Sequence, residues 1–265
     1  MTADLDRPYA LSDEQVGLFR DNGFIRLKGV FSGKELEQYA PEIERLTLAK
    51  QARPLEERST YGKAFLQVTN LWEQSEVARE FVFGKRLAQI AAELLEVDGV
   101  RLYHDQSLMK EVGGGLTPAH ADQYYWPLKT DRTVTAWVPL QPVPAEMGPI
   151  GFFAGSHRFD FGRDLPISDQ SESRISAEME RQGFALIDHP FKQGEVSFHS
   201  GWTFHRAGPN RTDRPRSVMT IIYMDKEMRL AEPSSGQDAD RDAFCPGVEV
   251  GQVIASPKNP VLWER

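Results

Sequence analysis

The chain has 265 residues, of which 40% are hydrophobic and 10% aromatic, a composition typical of a folded globular protein. Its formal net charge of −8 argues against nucleic-acid binding and gives no polybasic signal for an anionic membrane. A single cysteine, Cys245, excludes an intrachain disulfide framework and suits a reducing compartment, and no long apolar span is present.

The N-terminal part of the chain is predicted to be mainly helical. Ser12 followed by Gln15, and Ser32 followed by Glu35, match the capping box that marks a helix start. The second of these helices is predicted over about residues 33–48. Another helix ends at the Asp98-Gly99 pair and carries apolar residues at helical spacing, namely Leu87, Ile90, Ala91, Leu94 and Leu95.

Short β-like segments separated by Gly, Pro and Asn turns follow from Val100 onward. They are predicted over residues 101–109, 120–126, 134–143, 150–153, 196–199 and 217–224. Such a series favours a sandwich or barrel with helices packed outside. Residues 1–265 are predicted to form one domain, with a helical part over about 1–99, a β core over about 100–230 and an extended C-terminal tail.

A histidine and an aspartate one residue apart, His120 and Asp122, offer two metal ligands from one short segment. Alternate side chains of an extended segment point to the same face, so the imidazole and the carboxylate can meet at one ion. Alone, the triplet is a weak signal, because it arises easily by chance. A distant histidine would complete the two-histidine, one-carboxylate triad that binds Fe(II) and leaves positions open for substrate and oxygen.

Two histidines in one apolar-aromatic stretch, His199 and His205, compete for the distal position. A Gly-Pro-Asn turn follows His205, and a β-rich segment begins at Arg216, eleven residues after that histidine. This arrangement brings Arg216 close to His205. A planar guanidinium pairs bidentately with a carboxylate, so a buried arginine beside the metal suits a dicarboxylic cosubstrate, predicted to be 2-oxoglutarate.

Taken in order, these motifs resemble the phytanoyl-CoA dioxygenase family of Fe(II)- and 2-oxoglutarate-dependent oxygenases. The resemblance covers nearly the whole chain and rests on residues 11–15, 22–24, 120–122, 137–140, 148–150, 154–157, 205–210 and 216. Two departures are Ala121, where Gln is common, and Ala154, where the family usually has Pro before Gly-Ser-His. Neither departure removes a metal ligand, but both caution against assigning a branched fatty acyl-CoA as the substrate.

The resemblance implies a mainly β fold with flanking helices, the double-stranded β-helix or jelly roll found in cupin-like proteins. It implies that His120, Asp122 and His205 hold Fe(II). In this family Arg216 would hold the far carboxylate of 2-oxoglutarate, and O2 would be the oxidant. The expected reaction is hydroxylation of a small organic molecule with release of succinate and carbon dioxide. Asp122 stands where halogenating relatives have a small residue, which favours hydroxylation and leaves desaturation or ring formation open.

Further residues are predicted around the site by resemblance. Trp137 matches the family tryptophan beside the cosubstrate, although a tryptophan in an apolar strand is equally expected in the core. Gln106 is the next candidate for binding the cosubstrate, because its segment resembles one that reaches the cosubstrate or iron in relatives. His199, Gln67 and Tyr125 are predicted to line the substrate pocket, and His199 is also a candidate to support the metal ligands.

Two other functional classes are weighed against this one. A cupin-like metalloenzyme that does not use 2-oxoglutarate would not need Arg216, and a non-catalytic β-sandwich binding module would not need the triad. The expected partner is a small molecule, without nucleic acid or membrane. Because the first residues are acidic where a signal peptide is basic, a cytoplasmic location is expected.

Two local expectations complete the prediction. His104 and Asp105 are adjacent on a predicted strand and therefore face opposite sides, which makes them poor joint ligands. The charged segment 158–193 lies between two catalytic strands, where a lid and a solvated surface are equally expected. Its portion from 171 to 181 is predicted to be a short amphipathic helix.

Overall fold

The computed structural model describes residues 4–50, 54–58, 60–234 and 236–265. Its helices are α1 Asp13–Asn22, α2 Gly33–Leu48, α3 Thr60–Ala64, α4 Glu76–Val82, α5 Lys85–Leu95, α6 Asp169–Gln182 and α7 Asp238–Phe244. Its strands are β1 Phe24–Leu27, β2 Leu66–Thr69, β3 Gly99–Lys110, β4 Thr117–His120, β5 Thr133–Pro139, β6 Ile150–Phe153, β7 Leu186–Ile187, β8 Val196–Ser200, β9 His205–Ala207, β10 Arg216–Asp225 and β11 Val261–Glu264. No helix in these ranges has the length and apolar character that crossing a membrane requires.

The described strands form two antiparallel sheets. The larger sheet has the order β1-β8-β5-β10-β3-β11, with β2 also paired to β3. The smaller sheet has the order β4-β9-β6-β7. The strands β8-β5-β10-β3 and the four strands of the smaller sheet make up the jelly roll, so the predicted fold class is confirmed.

The N-terminal helices cover one face of the larger sheet. The predicted capping boxes at Ser12 and Ser32 begin α1 and α2. In each box the serine side chain accepts a hydrogen bond from the N3 backbone N–H, and the N3 side chain accepts one from the serine N–H. Along β10, Met219 and Ile221 belong to the core shared with these helices, whereas Thr220 between them lines a cavity on the other face. The helices therefore leave the opposite face of the sheet free for the site.

A bulge in β3 decides which of its residues reach that cavity. Tyr103 is the extra residue in the pairing of β3 with β10. Before the bulge Leu102 packs into the core under the helices, and after it His104 and Gln106 line the cavity. Asp105 faces the opposite side, where a backbone N–H donates to its carboxylate at 2.8 Å. The predicted opposite orientation of His104 and Asp105 is thus observed.

The segment after residue 230 differs from the predicted extended tail. It contains α7 and the strand β11, and β11 pairs with β3 at the edge of the larger sheet. Phe244 and Ile254 are buried beside Tyr103. Burial of these apolar side chains stabilises the packing of this segment against the sheet, and the prolines of the segment lie outside α7 and β11.

Candidate active site

A cavity of about 780 Å³ is lined by residues of both sheets, a volume in the range of small-molecule sites. All the predicted site residues line this one cavity: Gln67, Gln106, His120, Asp122, Tyr125, Trp137, His199, His205 and Arg216. Tertiary folding thus brings together side chains from β2, β3, β5, β8 and β10 with others from β4 and β9. The chemistry of the site depends on how these groups are held.

Two histidine nitrogens and one carboxylate oxygen converge in the cavity. His120 ends β4 and His205 begins β9, and the two residues are direct partners in the smaller sheet. Their Nε2 atoms lie 3.4 and 3.6 Å from Oδ1 of Asp122. One potential ligand atom from each residue lies within 4.8 Å of the others. Such spacing fits three ligands of a single metal ion.

The backbone determines which nitrogen of each histidine faces the ion position. Nδ1 of His120 lies 2.7 Å from the Pro118 carbonyl oxygen, and Nδ1 of His205 lies 2.9 Å from the Thr203 carbonyl oxygen. A carbonyl only accepts, so each Nδ1 carries the hydrogen and each Nε2 keeps its lone pair. Burial, followed by the nearby His120, lowers the pKa of His205 to about 3 and keeps this ring neutral.

His199 holds the other oxygen of Asp122. Its Nε2 lies 3.2 Å from Oδ2, and the Thr135 hydroxyl donates to the same oxygen at 3.4 Å. Burial opposes ionisation of Asp122, yet its pKa lies well below the usual range, and the hydrogen bond that His199 donates contributes to this lowering. Oδ1 is left facing the two Nε2 atoms. The metal-binding cluster therefore contains His205, while His199 lies behind the carboxylate.

The predicted strand over residues 120–126 is wrong beyond His120. Asp122 begins a 3-10 turn that runs to Tyr125. The chain bends because the Gln123 N–H donates to the Gly201 carbonyl at 2.9 Å, and the Gln123 side chain accepts from the Thr133 hydroxyl at 2.6 Å. The convergence of His120 and Asp122 thus comes from a strand end and a turn, and not from strand alternation.

Arg216 is a buried cation that has no carboxylate partner among the described residues. It begins β10, and its guanidinium donates to the Gly148 carbonyl while its Nε has no hydrogen-bond partner. The guanidinium lies 5.4 Å from the centre of the Trp137 ring. Burial lowers the pKa of Arg216 to about 9. Because an unpaired buried charge is costly, this group fits the carboxylate of a bound ligand.

A second buried basic group, Lys110, is the direct partner of Arg216 in the pairing of β3 with β10. Its Nζ donates to the Gly115 carbonyl at 2.5 Å and to the Thr117 hydroxyl at 3.1 Å. Burial, followed by the charge of Arg216, lowers the pKa of Lys110 to about 6. With this lowered pKa the Lys110 amine is mostly neutral near pH 7, so Arg216 supplies the positive charge that suits this end of the cavity to an anion.

The remaining predicted residues form the wall between these groups. Trp137 packs against Phe191 at 4.8 Å between ring centres as well as against the guanidinium, so both the core and the cosubstrate interpretations of this tryptophan fit its position. The Gln67 amide donates to the Gln106 side chain, and the Tyr61 hydroxyl donates to Gln67 at 2.9 Å. Tyr61 was not predicted, because no motif marks the short helix α3.

The charged segment after β6 contains the helix α6, whose contacts with the site the sequence did not predict. The predicted helix is α6, capped by Ser168, and its residues Ile175 and Met179 are buried beside the strand that carries His120. Glu172 of α6 pairs with Arg206 and accepts the Ala119 N–H at 2.7 Å. This helix therefore ties together the two strands that carry the metal-binding histidines.

A glycine beside Arg216 offers a first prediction. Gly148 has φ +68°, and a Cβ there would lie 2.2 Å from the Gly208 carbonyl oxygen. Gly148→Ala is therefore expected to cost at least about 1–3 kcal/mol of stability and to weaken anion binding by displacing the carbonyl that Arg216 contacts. Gly29→Ala is the matched control, because Gly29 has φ +64° with nothing within 4 Å of its Cβ position. Equal free energies of unfolding in urea for the two variants would contradict a destabilising clash at position 148.

The comparison with known proteins decides the family. Residues 19–218, three quarters of the chain, match the family model described as phytanoyl-CoA dioxygenase (PhyH). The chain belongs to the phytanoyl-CoA dioxygenase family. It is an Fe(II)- and 2-oxoglutarate-dependent dioxygenase, and the two other classes considered from the sequence are set aside.

Relatives of this dioxygenase cover most of its length. Phytanoyl-CoA dioxygenase domain-containing protein 1 of Danio rerio is 22% identical, over 90% of this chain and 98% of the relative. The ectoine dioxygenase of Bordetella parapertussis is 24% identical, over 89% of this chain and 84% of the relative. The solved structure of the epimerase SnoN, in complex with Fe3+, alpha ketoglutarate and nogalamycin RO, has a TM-score of 0.78 and 25% identity, covering 95% of this chain and 98% of that one.

Proposed function

We propose that this dioxygenase hydroxylates a small organic molecule at an iron held by His120, Asp122 and His205. The observation that carries the proposal is the convergence of two Nε2 atoms and one carboxylate oxygen in a cavity that also contains the unpaired Arg216. Three protein ligands leave neighbouring coordination positions open for cosubstrate and oxygen. The retained carboxylate of Asp122 favours hydroxylation over halogenation.

The cosubstrate is proposed to lie between the metal position and Arg216. Arg216 pairs with the far carboxylate of the cosubstrate, and Trp137 packs beside the cosubstrate. Gln106, on β3, forms a hydrogen bond with the cosubstrate. When bound, iron and 2-oxoglutarate supply the oxidation of the substrate by O2, with release of succinate and carbon dioxide. The protein positions these groups and excludes water, since Arg216, Trp137 and the triad histidines are all buried.

The substrate is proposed to enter the part of the cavity lined by Gln67, Tyr125 and Tyr61. The two tyrosines are half-buried and line the same cavity as the metal cluster. Names of relatives support a small organic substrate, because one relative is an ectoine dioxygenase and SnoN is bound to nogalamycin RO. No nucleic acid or membrane is included in the proposal.

Product analysis tests the hydroxylation. The Fe(II)-loaded protein is incubated with 2-oxoglutarate and panels of small metabolites, and compounds that stimulate succinate release are analysed by mass spectrometry with labelled O2. One labelled oxygen atom in the organic product is the expected result. A product of unchanged mass and inverted configuration, or one that has lost two hydrogens, would show epimerisation or desaturation in place of hydroxylation.

Removal of His199 is predicted to weaken the metal site without abolishing it. His199→Ala removes the hydrogen bond that orients Asp122, and loss of such a support typically costs about 10–100-fold in metal affinity or activity. His189→Ala is the control, because His189 is exposed in a loop. Iron titration followed by succinate release measures the effect. Wild-type iron affinity in His199→Ala would refute this orienting role.

A further inference from the structure

A carboxylate in the cavity wall has no counter-ion among the residues that the structure describes. Asp240 lies in α7 and lines the cavity that contains the metal-binding cluster. It is half-buried, and no hydrogen bond or ion pair to it is found among the described residues. Burial alone raises its pKa to about 6, without an opposing contribution from any cation. A carboxylate that is partly desolvated and has no partner in the protein is available to pair with a cation from outside the chain.

Three basic groups of α7 and of the cavity wall already have partners. Arg241, the next residue of α7, pairs with Asp238 at 3.1 Å and with Asp242 at 2.9 Å. Lys50 at the cavity wall donates to the Gln67 carbonyl, and Arg206 pairs with Glu172. Helix polarity favours an acid in the first turn of α7, but Asp238 already supplies one on the exposed side.

Aromatic rings surround this part of the cavity. Tyr61, Tyr125, Trp126 and Phe244 line it together with Asp240. His104 stacks on Phe244 with 4.0 Å between ring centres, and burial lowers its pKa to about 4, so it offers a neutral ring and no positive charge. Aromatic faces beside a carboxylate are the usual surroundings of an organic cation.

Two tyrosines, Tyr61 and Tyr125, line the same cavity as Asp240 and the metal-binding cluster. Both Tyr61 and Tyr125 have their pKa raised, by burial first and then by the charges of Asp122 and Asp240 among others. Tyr125 ends the turn that begins at Asp122, and Phe244 follows Asp240 by one helical turn of α7. Gln237 holds α7 in place, because its amide donates to the Tyr124 carbonyl at 2.8 Å beside the turn that begins at Asp122.

We propose that Asp240 is a specificity residue that binds the positively charged nitrogen of the substrate, an amine or quaternary ammonium group, against the rings of Tyr61, Tyr125 and Phe244. The proposal rests on the proposed function, in which Asp122 is neutralised by iron and Arg216 by 2-oxoglutarate. Of the described residues that line the cavity, Asp240 is then the carboxylate left without a compensating charge. A substrate held by its cationic end at α7 presents its other end to the metal across the tyrosines.

Matched probes test the charge preference. Benzylamine and benzyl alcohol, which differ in charge but little in shape, are titrated by calorimetry into the anaerobic Fe(II)- and 2-oxoglutarate-loaded protein. The wild type is expected to bind benzylamine at least about tenfold more tightly, which is about 1.4 kcal/mol. Asp240→Asn is expected to remove the preference and leave the alcohol affinity unchanged, and Asp240→Glu is expected to retain most of the preference.

Asp238→Asn is the matched control, because Asp238 is an exposed acid of the same helix turn. It should bind both probes as the wild type does. Equal affinity of the wild type for the two probes, absence of amine binding, or an unchanged preference in Asp240→Asn would overturn the proposal. Failure of 2-oxoglutarate to bind in the same titrations would instead refute the proposed function, and the amine preference would still decide the role of Asp240.

Discussion

Replacing His120 or His205 by alanine is expected to abolish stoichiometric Fe(II) binding and 2-oxoglutarate turnover. Each variant removes one of the two lone-pair nitrogens that face Oδ1 of Asp122, and the site selects its metal by this geometry more than by raw affinity. Each variant keeps only one histidine and Asp122 as protein ligands. Iron content after anaerobic loading and gel filtration, followed by succinate release, measures the loss.

His104→Ala is the control for the metal-site variants, since His104 is a buried histidine of the same cavity that lies outside the metal-binding cluster. It should keep its iron. Circular dichroism and urea unfolding should show that all the variants remain folded. Full turnover by His205→Ala together with loss of iron from His199→Ala would show that His199 is the distal ligand.

Replacing Arg216 by alanine is expected to weaken 2-oxoglutarate binding by a factor on the order of tens to thousands, because truncating one partner of a buried charge pair costs about 2–5 kcal/mol. The guanidinium has a free Nε and no carboxylate partner within the described chain, so the far carboxylate of the cosubstrate is the group that would pair with it. Iron binding should survive. The visible charge-transfer band of the anaerobic Fe(II) protein, titrated with 2-oxoglutarate, measures the affinity.

Two further variants separate charge from geometry at this position. Arg216→Lys should recover only part of the affinity, because an ammonium keeps the charge and loses the planar fork. Arg45→Ala is the control, since Arg45 is an exposed arginine that pairs with Glu42 at 2.7 Å and is not among the residues that line the cavity. Equal 2-oxoglutarate affinities for the wild type and Arg216→Ala would contradict the assignment. Cosubstrate binding that stabilises the wild type against heat and not Arg216→Ala would support it independently of turnover.

Local sequence chemistry indicated His120, Asp122 and Arg216 as candidate groups of the site, and resemblance to the family selected His205 as the distal histidine. His120, Asp122, His205 and Arg216 each stand at the end of a strand or in the turn that follows, where the chain pattern itself marks a boundary. The capping boxes of α1 and α2 were readable for the same reason, because they depend on residues three positions apart. Resemblance added Trp137 and the glutamines, which no spacing rule identifies.

Motifs alone left His199 and His205 as competing candidates for the distal ligand, and only the resemblance to the family favoured His205. His199 and His205 are equivalent by composition, and only the fold places Nε2 of His199 on Oδ2 of Asp122, 77 positions away in the sequence. The pairing of Glu172 with Arg206 is of the same kind. A side chain-side chain contact across the fold has no periodic signature, so the supporting groups of a site are harder to predict than its ligands.

The sequence by itself determined a mainly β fold with N-terminal helices and the candidate ligands His120 and Asp122, because these follow from patterns within short segments. The order of its motifs carried the resemblance to the family, which added the jelly roll and the choice of His205. Tertiary structure decided which faces those segments present. The bulge at Tyr103 turned His104 and Gln106 into the cavity, and burial of Phe244 brought Asp240 to its wall. Register and burial depend on contacts between distant segments, so neither can be read from one segment alone.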